Sequence, residues 1–300
     1  MFGDVTRVGA NFHAMEAWSN LKKVNGSIGQ IQSRLSSGKR INSAEDDTSG
    51  YALSKHLESR TRGLSQALDN VGTAKNVLNI AEGGFQSQMT ILQTVKEKLT
   101  QAADGSLSTS QRGAIGDQIN ALMTEFDDIS SDTKFNDNAL MTATAITFHV
   151  GEGNGDTLAV AFGTSTKTTV GESNVSVEAI ITDYNNAAIN TGYTAGEADV
   201  TWATLNQNAA KYGISVADSA IKSLAKSIQN VGDNNARLSS KEESLSLAIS
   251  NTEATRSRIE DADFAKEQMA MMKLQILQQT TMSSFSQANS APQMVLSLFR

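Results

Sequence analysis

The sequence predicts a mainly α protein: long antiparallel coiled-coil helices from both chain ends, with a small insert containing a β-hairpin. Three observations carry this reading. Apolar residues recur at alternating steps of four and three near both ends, which is the seam of a helix packed along another helix. Proline occurs once in 300 residues, at Pro292, and aromatic residues make up 5%, so long helices run without their usual breaker. Only one central stretch alternates β-prone residues around a glycine-rich turn.

The first helix is legible from Ala10. Ala10, Ala14, Ala17, Leu21, Val24, Ile28, Ile31 and Leu35 keep the four-three rhythm. The next segment, SSGKRINSAEDDTSG, is rich in short polar residues and glycine, which favour turns and caps. Ser49, before Gly50 and Tyr51, marks a cap for the second helix. That helix resumes the seam with Leu53, Leu57, Leu64, Val71, Ala74, Leu78, Ala81, Phe85, Leu92, Val95 and Leu99. At 1.5 Å per residue it is about 70 Å long, too long for a compact sphere. Gly83-Gly84 lies inside it and marks a bend or a close contact. AADGSLSTSQ is a turn, and Ile115, Ile119, Leu122, Phe126 and Ile129 form a shorter third helix.

Residues 143–214 read as the insert. ITFHVGEGNGDTLAVAFG is a hairpin about its GEGNGD turn. TSTKTTVGESNVS is polar and exposed, SVEAIITDYNNAAI forms a short helix, and residues 190–213 carry no clear pattern. The seam returns with Ala217, Ile221, Leu224, Ile228, Val231, Leu238, Leu245, Ile249, Thr252 and Ile259. Asn235, Glu242 and Arg256 interrupt it as polar register markers. Beyond Phe264 the pattern changes: Met269, Met271, Met272, Leu274, Ile276 and Leu277 point nearly all round the helix. Such a helix must be buried on every side. One chain end has too little mass for that, so other copies of the chain are expected to cover it.

Composition narrows the function. The chain carries 25 Lys+Arg against 32 Asp+Glu, net −7, with pI about 5.1, unlike a phosphate-binding surface, so nucleic acid is not expected as a partner. There is no cysteine, which excludes disulfides and thiolate chemistry. No stretch reaches the roughly 20 apolar residues that span a bilayer, and the N-terminus lacks the pattern of a cleaved secretory leader. His13, His56 and His149 are scattered, without neighbouring acidic ligands, and read as structural or surface groups, not metal ligands. SSGKR is similar to a phosphate loop only superficially, since GxxxxGK[ST] is absent. Glu45, Asp46 and Asp47 suit a helix N-terminus better than a cation site. No catalytic constellation is arguable, so neither enzymatic activity nor a cofactor is expected.

RLSSGKRINSAEDDTSG resembles the N-terminal signature of bacterial flagellin, with Arg34, Gly38, Arg40, Asn42, Asp46 and Asp47 in its turn. The resemblance continues through YALSKHLESRTRGLSQALDNVGTAKNVLNIAEGG and TKFNDNALM, then SRIEDADFAKEQMAMMKLQILQQ and QANSAPQMVLSLFR. The ILQQ run and the last segment favour filament flagellin over the hook–filament junction protein. The resemblance implies three regions. Residues 1–42 and 260–300 form an inner tube, ordered on polymerisation; residues 43–142 and 215–259 form a rod; residues 143–214 lie at the outer surface. It implies a subunit that self-assembles into the extracellular filament for swimming, exported without a cleaved leader. Its partners would be further copies of itself, hook-associated and cap proteins, and an export chaperone at the C-terminal segment. The assembly residues would be Leu21, Val24, Ile28, Ile31 and Leu35 on the first helix, and Met269, Met272, Ile276, Leu277, Val295, Leu296 and Leu298 on the last.

One departure stands out. Flagellins recognised by vertebrate Toll-like receptor 5 carry an Arg and a Leu on the helix after an LQ pair and a Glu on the next helix. This chain has Thr94, Lys98 and Gln118 at the matching positions, which implies weak or no recognition. Asn25-Gly26-Ser27 and Asn174-Val175-Ser176 match the N-glycosylation triplet weakly. Ser165, Thr166, Thr168, Thr169, Ser173 and Ser176 are the better candidates, for O-linked sugar.

Overall fold

In a computed structural model, residues 11–141, 145–163, 165–166 and 205–298 are described, with side chains as far as residue 290. Among them the elements run α1 (Phe12–Ser37), α2 (Thr48–Ala102), α3 (Thr109–Asp132), β1 (Lys134–Phe135), β2 (Asn138–Ala139), β3 (Ile146–His149), β4 (Thr157–Val160), α4 (Gln207–Glu260) and α5 (Phe264–Leu298). No described helix is long and apolar enough to cross a membrane. The chain divides into two compact units: Met1–Arg62 with Ile249–Arg300, and Gly63–Ala248.

In the unit Gly63–Ala248, α2 and α4 run antiparallel. Lys96 Nζ meets Asp218 at 2.5 Å, Asn235 Nδ2 donates to Asn79 Oδ1 at 3.3 Å, and Lys75 Nζ meets Glu242 at 2.8 Å. Between these contacts lies the apolar seam. Leu64, Val71, Ala74, Leu78, Ala81, Phe85, Leu92, Val95 and Leu99 from α2 are buried, as are Ala217, Leu224, Val231, Leu238 and Leu245 from α4. α3 adds Ile115, Ile119 and Phe126. Its start is a capping box, in which the Ser108 side chain accepts from the Gln111 amide and the Gln111 side chain accepts from the Ser108 amide. The α2–α3 turn is fastened by Arg112, which donates to the carbonyls of Ala102 and Asp104.

β3 and β4 pair antiparallel, Ile146 with Val160 through His149 with Thr157, as the alternation predicts. A second hairpin, β1 with β2, is new. Its two-residue turn holds Asn136 at φ 49° and Asp137 at φ 63°, the left-handed pair that a tight hairpin turn requires and that these residue types tolerate best. At Gly84 an added Cβ would lie 2.6 Å from Thr133 Oγ1 and against Met141 Cε, whereas Gly83 faces open space. The glycine pair therefore marks a close contact at its second member, inside an unbroken helix.

Three expectations need correction. Leu53 is 49% exposed, and the seam position in that turn belongs to Ser54, which is buried. The start of α2 is capped by Asp47, not Ser49: Asp47 Oδ1 accepts from the Gly50 amide at 2.9 Å. Residues 207–214 belong to α4, which Asn206 caps through the Ala209 amide. The short helix expected at 176–189, and residues 190–204, lie outside the described residues.

Candidate functional site

The terminal helices α1 and α5 are antiparallel partners within the other unit. The Asn11 side chain, which caps α1, also donates to the Ala288 carbonyl at 2.7 Å. Trp18 and Phe285 rings stand 5.8 Å apart, tilted by 43°. Gln278 donates to Asn25 at 2.7 Å, and Arg34 faces Glu267 at 3.8 Å. On α1 the residues turned inward are the expected seam: Ala14 and Leu21 are buried, and Ala17, Val24, Ile28, Ile31 and Leu35 are half-buried. On α5 the inward residues are Glu267, Met271, Leu274, Gln278, Thr281, Phe285 and Ala288, all half-buried.

That second register was hidden in the sequence because apolar residues occupy the outward face as well. Met269, Met272, Ile276, Leu277 and Met282 are exposed, Ile276 at 65%, as are Phe12, Met15 and Trp18 on α1. Singly exposed apolar side chains are ordinary, but these eight on one helix pair mark an interaction surface. Val295, Leu296 and Leu298 fall on the last turns of α5, where side chains are not described.

The signature turn ties these helices to the start of α2. Gly38 closes α1 in the left-handed conformation at φ 72°, its amide donating to the Arg34 carbonyl and its own carbonyl accepting from Ala262 at 2.9 Å. The Arg40 amide donates to the Glu260 carbonyl at 2.6 Å, and its guanidinium to the Ile259 carbonyl at 2.7 Å. Asp46 accepts from the Gln30 side chain, the Asn42 and Ser43 amides and the Ser43 hydroxyl. The Gln30 bond leads, with those two amides next and the Arg34 charge adding, in holding the Asp46 carboxyl down at about 2. Asn42 donates in turn to Ser33.

The acceptor that sequence reading missed is Glu260. Its carboxylate is buried and accepts from Ser54 Oγ at 2.6 Å, Lys39 Nζ at 2.5 Å and Arg256 Nη1 at 3.0 Å. Burial by itself would raise this carboxyl; the Lys39 and Ser54 hydrogen bonds, with the charges of Lys39 and Arg256, leave it below the ordinary glutamate range. Arg256 also pairs with Glu253. The one available signal was Arg256 on the seam, since a cation set into an apolar stripe needs an acid nearby.

The other expected positions lie elsewhere. Thr94 and Lys98 are half-exposed on α2, and Gln118 is exposed on α3. Ser165 is corrected as a sugar site: it is buried, and its hydroxyl donates to Gln88 Oε1 at 2.5 Å. Gln88 also donates to the Phe126 and Ser165 carbonyls. Thr166 is half-buried, and Thr168, Thr169, Ser173 and Ser176 lie outside the described residues. Among the described residues no group of three acidic, His or Cys side chains is arranged to hold a metal.

Residues 8–145 match the bacterial flagellin N-terminal helical region, and residues 214–299 match the bacterial flagellin C-terminal helical region. The chain belongs to the bacterial flagellins. It is 31% identical to Flagellin FlaB1 of Treponema pallidum, over 97% of this chain and 98% of that one. To the flagellin of Listeria monocytogenes it is also 31% identical, covering 97% and 99%. A structure described as a flagellar hook-associated protein of Vibrio parahaemolyticus shares the fold, at TM-score 0.56 and 13% identity, over 72% of this chain and all of that one. This flagellin is therefore a structural subunit of the flagellar filament, and its family forms the extracellular filament.

Proposed function

We propose that α1 and α5 complete their packing only in the polymer, so that folding of the chain ends and growth of the filament are one step. The observation that carries this is the outward apolar set Phe12, Met15, Trp18, Met269, Met272, Ile276, Leu277 and Met282 on a helix pair whose described residues bury fully only Ala14 and Leu21 among apolar side chains. Surface that a lone chain leaves wet is buried by the next copy, which links order to assembly by mass action. A head-to-tail contact that does not close on itself gives a helical polymer. Ile276→Asp, or removal of residues 270–300, is expected to abolish filaments in seeded growth while unit Gly63–Ala248 keeps its helicity. Long filaments from either variant overturn the proposal.

Within this reading, residues 1–42 and 260–300 are the inner tube and 43–142 with 215–259 the rod, a division supported by the turn after Ser37 and the break between Glu260 and Phe264. Residues 207–214 continue α4 and so join the rod, and residues 143–206 remain for the outer insert. The chain acts without catalysis and offers its Met-rich α5 to the export chaperone, a role suited to methionine's adaptable side chain. Hook-associated and cap proteins meet the filament ends. Thr94, Lys98 and Gln118 leave Toll-like receptor 5 without a guanidinium, an apolar contact and a carboxylate; nanomolar activation of reporter cells would overturn this.

A further inference from the structure

Within the unit Gly63–Ala248, the charges that α2 and α4 turn toward each other are paired: Lys75 with Glu242 and Lys96 with Asp218. Two other sets of charges are sorted by sign and left in solvent. On α3, Asp117, Glu125, Asp128 and Asp132 are all exposed, and at 100° per residue they fall in one stripe roughly 80° wide and about 22 Å long. On α4, Lys222, Lys226, Arg237 and Lys241 are exposed and fall in a stripe roughly 100° wide and about 28 Å long. Asp233 lies within the basic stripe, and Glu243 lies on its flank. Arg237 donates to Asn234 Oδ1 at 3.1 Å, and among the described residues none of the four cations forms an ion pair. Beside Arg237 and Lys241, the β3–β4 hairpin leaves an open cleft of about 400 Å³, lined also by Thr157, Ser240 and Ser244. Among the described residues no carboxylate lines that cleft.

We infer that these stripes are two halves of one contact: the acidic face of α3 on one copy docks along the basic face of α4 on its neighbour. The opposite signs and comparable lengths favour a second copy of this chain as the occupant. Such complementarity fixes register and steers encounter more than it adds affinity. Each copy offers both halves, so a head-to-tail contact between successive copies carries on along a helical polymer whenever its rotation does not close a ring. It rests on the filament reading and assigns part of its lateral packing to named residues.

The test uses the full chain in seeded growth and reads the critical concentration. Lys226→Glu with Arg237→Glu and Lys241→Glu, and separately Glu125→Lys with Asp128→Lys and Asp132→Lys, are each expected to raise it about tenfold or more, as attraction becomes repulsion in every copy. A chain carrying all six substitutions restores complementarity and is expected to return to within about threefold of wild type. Circular dichroism of each monomer shows that the helices remain. Growth of both triple variants at the wild-type concentration overturns the proposal. Failure of the six-fold variant to exceed the weaker triple variant overturns it too. Loss of growth from the α4 triple alone assigns that face to a different acidic surface and overturns the pairing with α3. If the wild-type chain itself forms no filaments, the filament reading falls first and this proposal with it.

Discussion

Glu260 is a single carboxylate holding three donors that come from the signature turn, from α2 and from its own helix. Removing it leaves the Ser54 hydroxyl and two cations to find water or new partners. Because Lys39 stays 41% exposed, the cost falls short of that of a sealed ion pair, at about 2 kcal/mol. Thermal unfolding of Glu260→Ala is expected to show that loss, with Glu260→Gln retaining part of it through the Ser54 bond. Asp46 works by the same logic. Its carboxyl sits at about 2, below its ordinary 3.8, so the stability it supplies is complete above about pH 4 and is lost as pH falls toward 2. The protection of the Asn42 and Ser43 amides, measured as exchange relative to the intrinsic rate at each pH, is expected to fall across that window. In Asp46→Asn the same amides should be poorly protected already at neutral pH, and unchanged exchange in that variant would assign their protection elsewhere.

At the scale of the helix, position on the seam decides consequence. Leu78 and Ile80 are two residues apart on α2, yet Leu78 is fully buried and Ile80 is 42% exposed. Leu78→Ala is expected to cost about 2–5 kcal/mol and Ile80→Ala within about 0.5 kcal/mol, read from denaturant midpoints. The four-three rhythm made this distinction legible beforehand along α1, α2, α3 and α4, because each buries one stripe against a partner. It failed where burial is polar or two-sided. Ser54 holds a seam position by hydrogen bonding to Glu260, so the apolar pattern pointed one residue early, to Leu53. Gln88 is likewise buried in a seam by three hydrogen bonds. On α5 the inward register was invisible because Met269, Met272, Ile276 and Leu277 make the outward face apolar too. The β1–β2 hairpin was missed because strands of two residues have no period to detect, although Asn136-Asp137 carried the turn chemistry. The candidate site was thus half readable: the turn residues were visible, and their shared acceptor was not.

For the whole molecule, the packing of the chain ends is a question of timing as well as energy. Asn11 binds the carbonyl of Ala288, 277 residues later, and every described contact between α1 and α5 spans a separation of that order. A chain made from its N-terminus therefore produces α1 first and α1's partner last. For that interval α1 is a lone 26-residue helix with no acidic residue in its first turn, and an unpartnered helix of that kind is marginal in water. Closing so long a loop is also slow compared with local pairing. A released chain ending at residue 260 is thus expected to lose α1 to brief proteolysis while the unit Gly63–Ala248, which it contains whole, resists. The partner of the first helix is the last described helix to be made, so the first helix waits unpaired through the synthesis of everything between them.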